Sequence, residues 1–173
     1  MKKRTVIIMI ICCLLICIGY GYLCFKPIII IDKSYSKNEF LSDSLFNPID
    51  TIDFTKGKNK VILYTNCEDV SFLPKNIKKW TLLECRDNRT IEQIKNYFEF
   101  ERISKDYVGT TAADSKIYFF KDNKVVFQSE IIIENTVSLF FENTGWVFST
   151  NYNDLIKCFS EFKPVYFPII KIN

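Results

Sequence analysis

The feature that most constrains this chain is an uninterrupted apolar segment near its N-terminus. Residues 5–25, TVIIMIICCLLICIGYGYLCF, contain no acidic or basic side chain. As a helix rising about 1.5 Å per residue, the segment would extend roughly 31 Å, which matches the hydrocarbon core of a bilayer. We therefore expect residues 1–25 to form an N-terminal membrane anchor or signal-anchor.

The end of this segment leaves two outcomes open. Gly19 and Gly21 are spaced as in a small-x-small cleavage site, which would make the segment a removable signal peptide. The apolar region of a signal peptide is usually about 7–15 residues long, and this segment is longer. Tyr20 and Tyr22 would also suit the aromatic belt at a membrane interface. Length favours an uncleaved, single-pass anchor.

Charge predicts the orientation and limits the partners. Three of the 23 basic residues are Lys2, Lys3 and Arg4, so the rest of the chain has 20 basic and 20 acidic side chains. A basic N-terminal flank predicts a cytoplasmic N-terminus and a body on the exported, periplasmic or extracellular side. The neutral body has no overall positive field to attract phosphates, so we expect no nucleic-acid partner. The expected partners are the membrane, through residues 5–25, and another protein.

The rest of the chain divides into a tether and one domain. Residues 26–59 are rich in Ser, Asn and Asp and are expected to be a linker, in which the apolar run 28–31 would lie at the membrane interface or add an edge strand. Residues 60–173 have the length of one soluble domain. A hydrophobic content of 48% excludes a disordered chain.

Alternating and β-branched patterns predict the strands. Residues 61–65 and 81–85 are uncharged or nearly uncharged β-rich runs, and the residues between them would supply a crossover. One hairpin is predicted around Asp122 and Asn123, and a second has Gly145 in its turn.

Two helices are expected in the domain. Thr90 and Gln93 have the spacing of a capping box, and Asn153 is expected to cap a second helix. The first helix would bury Ile91, Ile94 and Phe98, and the second would bury Leu155, Cys158, Phe159 and Phe162. The predicted fold is α+β (or α/β), with a central mixed sheet, two β-hairpins and two to three helices. One core is expected to bury Ile62, Tyr64, Leu82, Ile94, Phe98, Tyr118, Phe120, Val126, Phe159 and Phe162.

The order of these elements resembles the thioredoxin fold over residues 60–162. The segment SKIYFFKDNKVVF, residues 115–127, carries the resemblance, because that fold closes with a hairpin and a helix. The C-x-x-C motif of the family is missing, with Cys67 followed by Glu68, Asp69 and Val70. No proline precedes the hairpin. The resemblance implies a thioredoxin-like fold and argues against dithiol oxidoreductase activity.

The sequence contains no histidine, which removes most familiar catalytic sites. A Ser-His-Asp triad, a Cys-His dyad and a His-ligated metal site all need an imidazole. We therefore predict no catalytic, cofactor-binding or metal-binding residues. Cys67 follows one predicted strand and Cys85 ends the next, so a disulfide between them is possible if the strands are neighbours.

Two classes of function are compatible with these features. The first is a non-catalytic binding or accessory protein of the cell envelope, such as an immunity-type inhibitor or a subunit of a complex. The alternative is an enzyme that uses the Cys67 thiol, as in a degenerate thioredoxin-like protein, or paired carboxylates. The carboxylate candidates are Glu99 with Glu101 and Asp50 with Asp53.

Overall fold

A computed structural model describes residues 2–25, 28–31, 48–65, 72–77, 82–102, 115–141, 145–166 and 169–172. The helices are α1 (Lys2–Phe25), α2 (Asn88–Tyr97) and α3 (Tyr152–Phe159), and a 3-10 turn covers Pro48–Thr51. The strands are β1 (Ile28–Ile31), β2 (Asn59–Tyr64), β3 (Leu82–Cys85), β4 (Phe100–Arg102), β5 (Lys116–Lys121), β6 (Lys124–Ile133), β7 (Val137–Phe141), β8 (Gly145–Ser149), β9 (Lys163–Pro164) and β10 (Ile169–Ile172).

The main sheet has eight strands in the order β4-β8-β7-β6-β5-β2-β3-β9, and every described pairing in it is antiparallel. The α+β expectation is confirmed, but the expectation of a mixed central sheet is wrong. A crossover would have made β2 and β3 parallel, whereas Tyr64 pairs with Leu82 and Val61 with Cys85 in antiparallel register. The only described parallel pairing joins β1 to β10, outside the main sheet.

Both predicted hairpins are present. Asp122 and Asn123 connect β5 to β6 with φ values of 51° and 67°, the left-handed conformation that a two-residue turn of this type needs. Gly145 begins β8 with φ of 80°, a conformation that favours glycine. The thioredoxin-like interpretation remains a hypothesis, since the hairpin and closing helix are present while β2 and β3 run antiparallel.

The long strand β6 is shared by two halves of the sheet. Its residues 124–130 pair with β5, and its residues 131–133 pair with β7. Nearer its start, the Ser129 hydroxyl accepts a hydrogen bond from the Phe140 amide (3.1 Å) and donates to the Phe140 carbonyl (2.9 Å). The Ser129 side chain thus replaces a backbone partner of Phe140 at the point where the pairing of β6 with β7 ends.

The main core lies between one face of the sheet and helices α2 and α3. Alternate residues of the strands point to this face, and both helices place their apolar sides on it. Its largest fully buried side chains include Phe54, Phe98, Phe119, Phe127, Phe141 and Phe159. The ring pairs Phe54–Phe119 and Phe119–Phe127 have centroids 5.7 Å apart, within the range of favourable aromatic contacts.

A second, smaller cluster lies on the opposite face, which we call the outer face of the sheet. It consists of Ile62, Leu82, Tyr118 and Phe120. The predicted core residues are therefore divided between two clusters and do not form one. All ten are buried except Tyr64 and Val126, which are partly exposed. Val126 lies at a β-bulge, where the register between β5 and β6 shifts between Phe119 and Phe120.

Both helices begin earlier than the predicted caps. The N-cap of α2 is Asp87, whose carboxylate accepts hydrogen bonds from the Thr90 amide and hydroxyl, both at 2.8 Å. Thr90 is therefore inside the first turn. The N-cap of α3 is Asn151, two residues before the predicted Asn153, and its side chain makes no capping hydrogen bond. Asp, Asn, Ser and Thr are all favoured N-cap residues, so the sequence offered several neighbouring candidates for each helix start.

Helix α1 is long and apolar enough to cross a membrane. Its segment Arg4–Cys24 has a mean hydropathy of 2.7, and none of it is buried in the protein. A signal sequence shares these properties, so the helix supports membrane targeting without deciding the topology.

The domain includes residues that the sequence assigned to the tether. Ile49, in the 3-10 turn, and Phe54 are fully buried in the main core. Lys95 of α2 holds this segment by donating a hydrogen bond to the Ile52 carbonyl at 3.2 Å. Glu92 accepts one from the Phe54 amide at 3.1 Å and also pairs with Lys95.

Candidate binding surface on the outer face of the sheet

The two cysteines of the proposed disulfide are not seen together. Cys67 lies outside the described residues, so the pairing with Cys85 stays a prediction. The antiparallel register places Tyr64, three residues before Cys67, beside Leu82 at the start of β3, whereas Cys85 ends that strand.

The two described cysteines of the domain, Cys85 and Cys158, are in the main core. Cys85 and Cys158 are 3% and 7% exposed. Burial raises the pKa of the Cys85 thiol, and it raises that of Cys158 to about 11, with smaller effects from nearby Asp154 and Cys85. The reactive form of cysteine is the thiolate, so these environments disfavour nucleophilic chemistry.

The candidate carboxylates Asp50 and Asp53 lie in different electrostatic environments. Asp53 accepts hydrogen bonds from Thr55, which lower the pKa of its carboxyl group. Burial raises the pKa of Asp50, with a smaller raising effect from the charge of Glu99. Asp50 is thus influenced by a carboxylate of the other candidate pair, Glu99. The side chain of Glu101 is outside the described residues.

An open groove of about 560 Å³ lies beside the start of α2. It is lined by Thr55, Asp87, Asn88, Arg89, Glu92, Gln93 and Asn96. Its two carboxylates already have structural partners, since Asp87 caps α2 and Glu92 bonds to the Phe54 amide and Lys95. In the described part of the chain, no group of three or more acidic, Cys or His side chains is placed to hold a metal ion.

The outer face of the sheet carries a different kind of surface. On β6, β7 and β8, the positions that alternate with the core residues include Ile132, Phe140, Trp146 and Phe148, which are all partly exposed, together with the polar residues Glu130 and Ser138. We call the four apolar residues the aromatic patch. Phe140 and Trp146 are cross-strand partners with ring centroids 5.4 Å apart. Ser138 lies between Ile132 and Phe148 in the neighbouring row.

The outer cluster lies on the same sheet face, on strands β2, β3 and β5. The Tyr118 ring is buried, and its hydroxyl has no hydrogen-bond partner among the described residues. Burial raises the pKa of this phenol to about 12, with smaller contributions from Tyr64 and Glu130. Lys60 lies over the Phe120 ring, with its Nζ 4.2 Å from the centroid. Neither α2 nor α3 contributes to this cluster.

Sequence reasoning missed the aromatic patch, although a signal for it was present. The strands of a sheet with one solvent-exposed face normally alternate apolar and polar residues. In VSLFF and GWVFS, the outward positions include Phe140, Trp146 and Phe148 as well as Ser138. Strands that are apolar on both sides predict either a second covering layer or a binding surface.

Comparison of the chain with protein-family models, with curated proteins and with solved structures finds no match. The surface is therefore interpreted from its own chemistry.

Proposed function

We propose that this protein is a membrane-anchored, non-catalytic binding protein that presents its aromatic patch to a protein partner. Helix α1 would hold the domain at the membrane, with the N-terminus in the cytoplasm and the domain on the exported side. An inhibitor of the immunity type and a subunit of an envelope complex both fit this description, because each works by contact alone.

The observation that carries the proposal is the cross-strand pair Phe140–Trp146 on a partly exposed sheet face. Trp and Tyr are enriched among the residues that dominate binding energy, because they bury a large area while losing few rotamers. Contiguous apolar surface on a soluble domain is typical of an interaction site. Phe148 and Ile132 extend this surface beside the pair.

The enzymatic alternative has weaker support. The described thiols of the domain are buried in the main core, and the groove beside α2 uses its two carboxylates to hold the chain together. Cys67 remains the residue on which a thiol-dependent activity would depend.

The test is site-specific photo-crosslinking in the native cells, with a benzophenone amino acid at position 146. The expected result is one adduct of defined mass that contains a second protein. Position 157 is the matched control, because Lys157 is exposed on α3 and that helix packs on the opposite face. Equal adducts from both positions, or none from position 146, would contradict the proposal.

A variant then separates binding from folding. Trp146→Ala should weaken the isolated complex by about 2 kcal/mol or more if the residue is an interface anchor. Lys157→Ala should leave affinity unchanged. Both variants should keep the folded circular dichroism spectrum, since neither residue is in the buried core.

A further inference from the structure

Strands β1 and β10 form a two-stranded parallel sheet, which we call the ribbon. Ile28 pairs with Ile169, and the register continues to Ile31 with Ile172. Apart from Lys171, every residue of the ribbon is isoleucine. Parallel strands of this composition normally have both faces covered, and a two-stranded sheet is marginally stable in water. The ribbon therefore needs an apolar surrounding.

The described side chains of β1 are exposed to an unusual degree. Ile28 and Ile30 are 49% and 48% exposed. Because alternate residues of a strand point to the same side, these two side chains form one apolar face. No part of the main sheet pairs with the ribbon among the described residues.

The position of the ribbon relative to the end of α1 indicates what lies against the face formed by Ile28 and Ile30. Helix α1 ends at Phe25, and β1 begins three residues later at Ile28. An extended chain covers at most about 3.6 Å per residue, so Ile28 lies within roughly 11 Å of the helix end. The polar layer of a bilayer is roughly 5–8 Å deep on each side of the hydrocarbon core. A spanning α1 therefore places the start of β1 at the headgroup layer.

A second contact brings the other strand to the same place. The Cys24 thiol donates a hydrogen bond to the Tyr166 carbonyl at 3.1 Å. Tyr166 is three residues before β10, so the chain that leads into this strand passes the end of α1. Both strands of the ribbon thus begin near the C-terminal end of α1.

We infer that the ribbon lies in the interfacial layer of the bilayer, with Ile28 and Ile30 against lipid. The inference rests on the proposed membrane anchoring by α1. The domain is then connected to the membrane surface at two points, through the helix at its N-terminus and through β10 at its C-terminus. Lipid then supplies the apolar cover that no described element of the chain provides for Ile28 and Ile30.

The test uses the full chain reconstituted in phosphatidylcholine nanodiscs. A benzophenone amino acid is placed in turn at positions 28 and 30, and adducts are identified by intact-mass spectrometry. Ile11 is the positive control, because it lies in the middle of α1. Phe72 is the matched negative control, since it is a large exposed apolar residue of the domain at 40% exposure.

The expected result is a phospholipid adduct at positions 11, 28 and 30, and none at position 72. Lipid adducts at position 11 without adducts at 28 and 30 would overturn the inference and leave the anchor intact. A protein adduct at 28 or 30 would overturn it as well, by showing that a second chain covers the ribbon. Absence of a lipid adduct at position 11 would instead refute the anchor itself.

Discussion

At the scale of single residues, Asp87 shows how one carboxylate fixes the start of a helix. It accepts hydrogen bonds from the amide and the hydroxyl of Thr90, and these bonds lower the pKa of its carboxyl group. The negative charge also lies at the positive end of the α2 dipole. The cap therefore depends on both hydrogen bonding and ionisation.

Asp87→Ala is expected to lower the free energy of unfolding by about 1 kcal/mol at neutral pH. Because the folded pKa of Asp87 is lowered, its ionisation stabilises the fold above its unfolded pKa of about 3.9. This contribution is lost as pH falls through the folded pKa. Denaturant unfolding at pH 7 and at about pH 3 should show the difference from wild type shrinking with acid. Asp87→Asn is the control, because it keeps an acceptor but does not titrate. A pH-independent loss would contradict a role for the charge.

The Tyr118 hydroxyl predicts an unusual outcome, namely a substitution that stabilises the protein. This group is buried and has no partner in the described residues, so it loses hydration without gaining a hydrogen bond. Tyr118→Phe should raise the free energy of unfolding by about 1 kcal/mol. Thermal and denaturant unfolding measure the change. A loss of stability would show that the hydroxyl is bonded in solution.

The buried thiols predict chemical inertness. Because burial raises the pKa of Cys158 to about 11, almost none of it is thiolate at neutral pH. Alkylation of the folded protein with iodoacetamide, followed by peptide mass mapping, should leave Cys158 and Cys85 unmodified, and Cys158 should become modified when denaturant is added. Rapid modification of either residue in the folded state would disprove their burial.

At the scale of elements, α2 and α3 depend on the sheet for their stability. Each is ten residues or shorter, and isolated helices of this length are marginal in water. Their apolar sides carry Ile91, Ile94, Leu155 and Phe159 into the main core. Packing against the sheet therefore does most to stabilise them.

Phe159→Ala should cost about 3–5 kcal/mol, because it leaves a cavity between α3 and the sheet. Phe120→Ala in the outer cluster should fall in the same range, since Phe120 is also buried. Phe140→Ala is the comparison, and its cost of about 1–2 kcal/mol reflects a partly exposed ring. Chemical denaturation gives all three values. A cost below about 1 kcal/mol for Phe159 would mean that α3 does not pack as described.

At the scale of the whole molecule, one hydrophobic helix is expected to determine where the protein resides. Its uncharged residues supply insertion energy that salt does not screen. The protein should therefore sediment with membranes and resist extraction by 1 M NaCl or alkaline carbonate. Release by either treatment would argue for a cleaved leader or a peripheral association.

The anchor also predicts which side of the membrane the domain occupies. Protease added outside intact spheroplasts should digest the domain while leaving α1 protected. Detergent-permeabilised spheroplasts are the control for protease activity. Full protection in intact spheroplasts would reverse the predicted orientation.

Local chemistry made several elements predictable from the sequence alone. The apolar run of α1, the Asp122–Asn123 turn and the buried faces around Ile94 and Phe159 all follow from patterns within about twenty residues. These patterns reflect local conformational preference and the burial of one face of an element. They therefore predict the element without information on which distant residues it contacts.

Tertiary structure decided what depends on contacts between distant residues. The antiparallel pairing of β2 with β3, the entry of Phe54 into the core and the separate outer cluster all join residues far apart in the chain. Strand direction is set by how the connection packs, which local propensity does not specify. The aromatic patch also depends on tertiary structure. Side-chain alternation in the sequence shows that both faces of these strands are apolar. Only the assembled sheet shows that α2 and α3 cover the same face and leave the other one partly exposed.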